Sequence, residues 1–287
     1  MRIAIGTAQF GGEYGIANAQ GKISYLNAKE IVNFAKSVGI NTFDTAISYG
    51  SSEKILGKIG VRDQKIITKL PNIPENLKNI DEWVNTQIKN SLDALKIKNL
   101  YGLLLHRPMQ LLDLDKKKIW ETLNELKRQR IVEKIGFSIY EPDELDQLCS
   151  LFKPDIVQTP YNVFDRRFET SGWLKSLYDD GIEIHIRSIF LQGLLLMPNN
   201  SRPSKFRSWQ SVWNQWDHWM DVNKITPLQA TLSFALSDKR ISKIVIGIDC
   251  INQLREIVSN YNVKSKLPEL FTIKDKRLLN PSEWNSL

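Results

Sequence analysis

The stretch Lys65-Ile-Ile-Thr-Lys69 is a short strand-like run that ends in a lysine, and the next such run, Leu100-Tyr-Gly-Leu-Leu-Leu-His106, ends in a histidine. The preceding run leads into Phe43-Asp44-Thr45-Ala46-Ile47-Ser48-Tyr49-Gly50, which supplies an aspartate and a tyrosine. Three successive strands therefore carry polar or ionisable groups at their carboxyl ends. A parallel barrel assembles its active site at that end of its strands, so these runs predict both the fold and the site.

Strand-like and helix-like segments alternate along the chain on both sides of these runs. The continuous apolar run 100–105 is typical of a strand that is buried on both faces. The predicted strands are 3–7, 41–46, 65–70, 100–105, 134–137, 155–158, 182–188 and 243–247, and the predicted helices are 28–38, 53–59, 81–95, one marked by Ile119, Leu123 and Leu126, 142–150, 173–179, 227–236 and 252–259. Eight such pairs predict an α/β protein, a closed (β/α)₈ TIM barrel, with a doubly wound open sheet as the alternative.

The start of the first long helix carries a local signal of its own. Asn27 and Glu30 have the spacing of a capping box, and Leu26 with Ile31 has that of a hydrophobic staple. Both motifs mark the first turn of a helix. We therefore expect this helix to begin at Ala28.

The domain organisation is expected to be simple. No linker rich in Pro, Gly or Ser divides the 287 residues, which predicts a single barrel domain over 1–287. One connection, 190–225 after the seventh strand, exceeds the usual length of about 15 residues and is expected to be functional or disordered. The segment 261–287 is expected to follow the barrel, with Leu270–Lys274 and Trp284 covering its outside.

The long connection 190–225 is rich in tryptophan, which is not typical of disorder. Trp209, Trp213, Trp216 and Met220 fall on one helical face. The stripe could simply pack a short helix onto the barrel. Alternatively, or in addition, the segment is a lid over the strand ends, and Trp209, Trp213 and Trp216 contact the substrate with stacking faces and indole donors.

Composition restricts the classes of function. The formal net charge is +7 and the pI about 9.2, but Lys and Arg are spread along the chain, which favours a solvated basic surface over a nucleic-acid site. The two cysteines, Cys149 and Cys250, form no CxxC pair or metal motif. We find no signal peptide and no apolar run of about 18 residues, so we expect a cytoplasmic protein with no membrane span, no metal and no nucleic-acid partner.

The four groups at the strand ends are chemically compatible. A tyrosine hydroxyl has a pKa of about 10, and a buried lysine ammonium beside Tyr49 would lower it. Asp44 would hold Lys69 charged, and His106 could donate a hydrogen bond to a carbonyl group. Together they predict a proton donor for a developing oxyanion. Each residue alone has a plainer interpretation as a capping, packing or surface group, and Lys69 could instead form a Schiff base.

These residues resemble the signature of the aldo-keto reductase family. The stretch Gly39-Ile-Asn-Thr-Phe-Asp44-Thr-Ala-Ile-Ser-Tyr49-Gly50-Ser-Ser-Glu53-Lys-Ile-Leu-Gly57 carries the resemblance, and Gly6-Thr7-Ala8-Gln9-Phe10-Gly11 looks like the family's opening strand. The resemblance runs from about residue 3 to 260. It implies hydride transfer between a nicotinamide cofactor and an aldehyde or ketone, with Tyr49 as general acid, Lys69 and Asp44 tuning it, and His106 orienting the carbonyl.

The resemblance also implies a cofactor site. Ser138 and Gln158 match the carboxamide contacts, although the usual Asn is Ile139, and the loop from Ser188 to Leu195 resembles the pyrophosphate loop, although its proline is Ile189. The residues expected to bind NADPH or NADH are Thr7, Ser138, Gln158, Ser188, Phe190, Gln192, Gly193, Gly247, Asp249, Gln253 and Glu256.

Asp249 bears on the choice of cofactor. Many relatives place Arg or Lys here, whereas a carboxylate would repel the 2′-phosphate of NADPH and could accept hydrogen bonds from ribose hydroxyls. The sequence therefore favours NADH. The alternative is that Asp249 points to solvent while Arg255 or Lys243 binds the phosphate.

The substrate is less determined than the reaction. We expect a small carbonyl compound, with sugar or nucleotide-sugar metabolism as one hypothesis, and a monomer or small homo-oligomer. Four arginines near loop regions could favour an anionic substrate: Arg166, Arg167, Arg202 and Arg207. A nicotinamide-nucleotide sensor or scaffold that keeps the fold without catalysis is the alternative function.

Overall fold

The fold is a closed parallel barrel, seen here in a computed structural model of the chain. The structure describes residues 1–18, 21–75, 77–113, 116–267, 273 and 275–286. Eight parallel strands pair in chain order, and β8 closes the barrel on β1 through the register Ile5 with Ile246. The TIM-barrel prediction is therefore confirmed, and the open sheet is excluded.

The strands are short and the helices cover them from outside, as expected when each strand is buried on both faces. The strands are β1 Ile3–Gly6, β2 Thr42–Asp44, β3 Lys65–Leu70, β4 Leu100–Leu105, β5 Val132–Ser138, β6 Ile156–Pro160, β7 Glu183–Arg187 and β8 Ile241–Gly247. The helices are α1 Ala8–Gly11, α2 Tyr25–Ser37, α3 Ser52–Ile59, α4 Ile80–Leu95, α5 Lys118–Arg128, α6 Pro142–Leu148, α7 Arg167–Thr170, α8 Trp173–Asp179, α9 Gln210–Asn223, α10 Pro227–Ser237, α11 Ile251–Asn260 and α12 Lys276–Leu279. Every predicted strand lies within three residues of an observed one at each end.

The start of α2 differs from the prediction. Ser24, not Asn27, is the N-cap, and its hydroxyl accepts a hydrogen bond from the backbone N–H of Asn27. Leu26 is 71% exposed, so it makes no hydrophobic staple. The predicted capping box is wrong because Asn27 lies in the first turn. The buried stripe that begins at Ala28 fits either start.

The long connection after β7 is ordered and packs on the barrel. It contains the 3-10 turns Leu194–Leu196, Asn199–Ser201 and Ser204–Trp209, and then α9. Trp213 and Trp216 are fully buried, and their indole N–H groups donate to the backbone carbonyls of Phe206 and Leu195. The packing interpretation of the tryptophan stripe is confirmed.

The C-terminal segment contacts this connection. Trp284 is buried and meets Phe206 edge-on at 4.9 Å, and its indole N–H donates to the carbonyl of Leu278. Of the predicted cover Leu270–Lys274, only Ile273 lies within the described residues. In the described part of the chain, no helix combines the length and the apolar character needed to cross a bilayer.

Candidate active site

A buried ion pair lies at the carboxyl ends of β2 and β3. The ammonium of Lys69 is 2.6 Å from Oδ1 of Asp44 and donates to the carbonyl of Thr45 at 2.9 Å. Gln158, on β6, donates from Nε2 to the other oxygen of Asp44 at 2.7 Å. Both ions are almost completely buried, so each satisfies the other's charge. A lysine nitrogen held by this ion pair and by the Thr45 carbonyl is poorly placed to act as a Schiff-base amine.

Tyr49 follows β2 in a turn that is fixed by glycine. A side chain at Gly11 would put its Cβ 1.6 Å from the carbonyl oxygen of Tyr49, and Gly50 has φ +54° with the carbonyl of Gly11 directly against it. The backbone of residue 11 thus packs against that of residue 49 at a distance that only glycine permits. The centre of the Tyr49 ring lies 5.3 Å from the Lys69 ammonium.

His106 completes the group at the barrel mouth. Its ring meets that of Tyr49 edge-on at 5.9 Å, and its Nδ1 lies 3.3 Å from the hydroxyl of Ser48. Burial lowers the pKa of His106 to about 4, and the charges of Lys69 and Arg187 act in the same direction. The imidazole is therefore neutral near pH 7 and carries one N–H for donation. We call Asp44, Tyr49, Lys69 and His106 the mouth cluster.

The pKa of Tyr49 moves against the prediction. Burial raises it, the negative charge of Asp44 raises it further, and the positive charge of Arg187 opposes both. The predicted lowering of this pKa is therefore wrong, and the cation that opposes the rise is Arg187. The phenol is accordingly protonated at physiological pH, as a proton donor must be.

A cavity of about 550 Å³ extends from the mouth cluster along the ends of β1, β7 and β8. Asp44 of β2 and Tyr49 after it line this cavity, and so do Asp249 after β8 and Glu256 of α11. Ten of the eleven residues expected to bind the cofactor line this one cavity: Thr7, Gln158, Ser188, Phe190, Gln192, Gly193, Gly247, Asp249, Gln253 and Glu256.

Three of the residues expected to bind the cofactor either lie outside the cavity wall or already make a hydrogen bond within the protein. Ser138 is buried at the end of β5 and is not among the described residues that line the cavity. The hydroxyl of Thr7 donates to the carbonyl of Asp44, so it positions β2. The amide nitrogen of Gln158 is held by Asp44, which leaves its oxygen for a ligand.

Two buried acceptors in the wall of the cavity have no hydrogen-bond partner among the described residues. They are Oδ1 of Asp249 and Oε1 of Gln9. Buried polar atoms are normally paired, so unpaired acceptors in a cavity wall indicate a ligand that brings donors. Ribose hydroxyls are such donors. The residues present therefore fit a nicotinamide dinucleotide.

The loop that follows β7 carries backbone strain where it lines the cavity. Ser188, Leu191 and Gln192 have φ of +60°, +48° and +51°, and Gly193 has +90°. Non-glycine residues adopt such angles at a cost and concentrate at ligand sites. The Ala17 N–H donates to the carbonyl of Gln192 at 3.3 Å, so the loop before α2 joins the loop after β7 across the cavity.

The tryptophans expected to contact substrate do not face this cavity. Of the described residues that line it, none is a tryptophan. Trp209 is buried as well, and its indole N–H donates to Asp275. The connection 190–225 borders the cavity through its first residues instead, with Leu196, Met197 and Pro198 among them. The assignment of Trp209, Trp213 and Trp216 to substrate is corrected accordingly.

Several residues that line the cavity were not predicted from the sequence, Arg187 and Tyr14 among them. Arg187 ends β7 and Tyr14 lies in the loop after α1, and both line the cavity together with Tyr49. Three of the arginines expected to attract an anion are instead paired with carboxylates: Arg166 with Glu169, Arg167 with Asp165 and Glu141, and Arg202 with Asp217. Arg207 is exposed.

A second polar group lies at the amino-terminal base of the barrel. Glu183 accepts from Lys134 at 2.6 Å and from the Tyr101 hydroxyl at 2.7 Å, and Nε2 of His185 lies 3.1 Å from its other oxygen. These hydrogen bonds outweigh burial and hold the pKa of Glu183 well below its usual range. We call Glu183, Lys134, Tyr101 and His185 the base cluster. Its members do not line the cavity described above.

Comparison with known proteins gives a consistent result. The sequence profile of the aldo/keto reductase family matches residues 2–275. The chain is 27% identical over 272 residues to an NADH-specific methylglyoxal reductase of Escherichia coli, covering 80% of this chain and 81% of that protein. An aldo-keto reductase of Bacillus subtilis is 28% identical over 189 residues, which cover 59% of this chain and 53% of its own.

The structural neighbours share the fold at low identity. An aldo-keto reductase of Bacillus halodurans in its holo form superposes with a TM-score of 0.74 at 17% identity, covering 96% of this chain and 95% of that one. Two of the curated relatives are matched over only about half of their own length, 53% and 55%.

Proposed function

The chain belongs to the aldo/keto reductase family, and from this premise we propose that it is an NAD(P)H-dependent oxidoreductase that reduces an aldehyde or a ketone to an alcohol. The observation that supports the proposal most is the buried pair of Asp44 and Lys69 next to the Tyr49 phenol, at one end of a cavity that fits a dinucleotide. The substrate is a small carbonyl compound.

In the proposed reaction, the substrate oxygen lies between the Tyr49 hydroxyl and the His106 ring. When bound, a nicotinamide cofactor supplies the hydride that the carbonyl carbon accepts and is itself oxidised. As negative charge develops on the oxygen, the Tyr49 proton transfers to it and the product is an alcohol. His106, which is neutral, donates its single N–H from Nε2 to the same oxygen, while its Nδ1 accepts from the Ser48 hydroxyl.

The Lys69 ammonium, 5.3 Å from the centre of the Tyr49 ring, and Arg187, which lines the same cavity, are cations close to the phenolate that this transfer leaves behind. Arg187 already lowers the pKa of Tyr49 in the free protein, although burial and Asp44 together raise it. Asp44 holds the Lys69 ammonium in place, and Gln158 fixes the orientation of Asp44. These residues position the acid, whereas Tyr49 and His106 contact the substrate.

The proposed acid is tested by Tyr49→Phe. A general acid contributes about 10²- to 10⁴-fold to a rate, so single-turnover oxidation of bound NADH by an aldehyde should slow by this order. Binding of the cofactor, followed by quenching of protein fluorescence, should stay within about threefold. Near-normal turnover by the variant would remove Tyr49 from the mechanism, and cofactor binding without turnover in the wild type would favour a sensor.

We further propose that the cofactor is NADH. Asp249 is half-buried with an unpaired oxygen, which suits ribose hydroxyls and repels a 2′-phosphate. The two cations considered for that phosphate are placed poorly for it: Lys243 lies in the first half of β8, near the carbonyl of Met1, and the Arg255 guanidinium lies over the ring of Phe34. The Escherichia coli relative is named as NADH-specific.

Titration with both cofactors tests this choice. We expect NADH to bind at least tenfold more tightly than NADPH, and Asp249→Arg to reverse or abolish the difference. The exposed, matched variant Asp63→Arg should leave both affinities unchanged. Wild-type protein that binds NADPH tenfold more tightly would refute the preference for NADH without touching the proposed reaction.

A further inference from the structure

One cation at the mouth of the barrel has no matching charge. Arg187 is the last residue of β7, and its side chain lines the cavity beside Tyr49 and Gln158. Among the described residues, no carboxylate lies within ion-pair distance of its guanidinium, and Ile139 is the acceptor of its one hydrogen bond. Lys69 and Lys134, the inward-facing lysines of the two clusters, are each paired with a carboxylate.

The guanidinium is nevertheless held in a fixed place. Its Nη2 donates to the carbonyl oxygen of Ile139 at 2.9 Å, and its plane lies over the ring of Tyr140 at 4.2 Å. Arg107 lies over the same ring at 5.1 Å. Because one hydrogen bond and one ring contact orient Arg187, little side-chain entropy remains to be lost when it binds a ligand.

The backbone after Arg187 is constrained as well. Ser188 has φ +60°, and its carbonyl accepts a hydrogen bond from the side chain of Asn162 at 3.0 Å. Strain of this kind persists where the surroundings enforce it, and it concentrates at ligand sites. The constrained backbone at the end of β7 therefore helps to hold Arg187 at the cavity.

A half-buried cation without a counterion has lost part of its hydration and gained no opposite charge in return. A ligand that carries a negative charge would restore the balance. Arginine is well suited to this task, because its planar donors match carboxylate and phosphate oxygens. The Ile139 carbonyl occupies a single donor, and the remaining N–H groups find no acceptor among the described residues.

We propose that Arg187 binds an anionic oxygen group of the substrate, a carboxylate or a phosphate a few bonds from the carbonyl, and that it makes the enzyme selective for anionic oxo compounds. This inference rests on the proposed reductase activity and adds the substrate class to it. Arg107, whose guanidinium lies over the same Tyr140 ring, adds a second positive charge near Arg187.

Two pairs of aldehydes that differ in charge test the inference. One pair is para-formylbenzoate and para-formylbenzamide, and the other is glyceraldehyde 3-phosphate and glyceraldehyde. We expect wild-type kcat/KM to be at least tenfold higher for the anionic member of one pair. The pair that shows this difference also identifies the bound group as a carboxylate or a phosphate. Arg187→Gln should lower that value at least tenfold while changing the neutral partner less than threefold. Arg187→Lys should recover part of the loss.

Binding without turnover gives an independent readout. Calorimetry with the preferred anionic aldehyde or its alcohol, on protein loaded with the oxidised cofactor, should show a Kd at least tenfold weaker in Arg187→Gln. The surface variant Arg128→Gln should match the wild type in both assays. Arg128 is 74% exposed on α5 and lies outside the cavity.

Three results would overturn the assignment. They are an equal rate for charged and neutral aldehydes in the wild type, an equal fall for both in Arg187→Gln, and a loss of NADH affinity large enough to explain the fall. The last result would assign Arg187 to the cofactor. Reduction of the neutral aldehydes alone would refute the role of Arg187 but not the proposed reductase activity. Cofactor binding with no reduction of any aldehyde would refute the reductase activity itself.

Discussion

The mouth cluster and the base cluster contain the same kinds of side chain, a carboxylate, a lysine, a tyrosine and a histidine, at opposite ends of one barrel. They differ in how the tyrosine is used. The hydroxyl of Tyr101 donates to Glu183 at 2.7 Å, whereas Tyr49 lines the cavity. Residue types alone therefore do not define this kind of site. Position at the carboxyl ends of the strands and access to a cavity define it.

The largest expected effect separates the two tyrosines by activity. Tyr49→Phe should slow turnover by the order of 10²- to 10⁴-fold, whereas Tyr101→Phe should stay within about threefold of the wild type. Tyr101→Phe should instead lower the free energy of unfolding by about 1 kcal/mol, because Glu183 loses one of its donors. A comparable loss of turnover in both variants would mean that the base cluster takes part in the reaction.

The next effect separates the two lysines by stability. Lys69→Met leaves Asp44 buried without its partner, so we expect the free energy of unfolding to fall by about 3 kcal/mol. Lys134→Met should cost about 1 kcal/mol, since Lys134 and Glu183 each keep about a quarter of their exposure and water screens the pair. Equilibrium denaturation in urea measures both. Equal losses would contradict the difference in burial.

The smallest effect concerns His106 and pH. Its pKa is about 4 in the folded protein, against about 6.5 in the unfolded chain, so between these values the unfolded chain binds a proton that the folded one does not. This contribution makes stability fall as the pH drops from 6.5 to 4. Allowing for partial exposure, we expect about 2 kcal/mol. In His106→Gln the difference between the unfolding free energies at pH 7.5 and 4.5 should be smaller by that amount, and an unchanged difference would refute the low pKa.

Much of the barrel could be predicted because its signal is local. Each strand is a short apolar run. A continuous apolar run such as 100–105 is typical of a strand that is buried on both faces, so few other interpretations fit it. The start of α2 was missed because Asn27 and Glu30 imitate a capping box, while the cap at Ser24 has no acidic residue three positions later. Local spacing cannot separate two starts that share one buried face.

The site was predictable in part for a related reason. Asp44, Tyr49, Lys69 and His106 stand at the ends of consecutive strands, so the chain itself indicates that they meet. Arg187 gave no such signal, because an arginine at a strand end is usually solvated. Its significance depends on the carboxylates that are not near it in the closed barrel. For the tryptophan stripe of α9, the helical period correctly predicted which face is buried. It did not predict what that face packs against.

The contact between Gly11 and Tyr49 has a consequence for protein engineering. Gly11 lies 38 positions before Tyr49 in the chain and packs against the backbone of this proposed acid. The two backbones are so close that no Cβ atom fits between them. Libraries that aim to change substrate range should therefore hold positions 11 and 50 constant and diversify the wall formed by Tyr14 and residues 196–198. Positions 11 and 50 fix the turn that carries the proposed acid, whereas the wall positions are free of that constraint. Substrate range and the placement of the acid can therefore be changed independently.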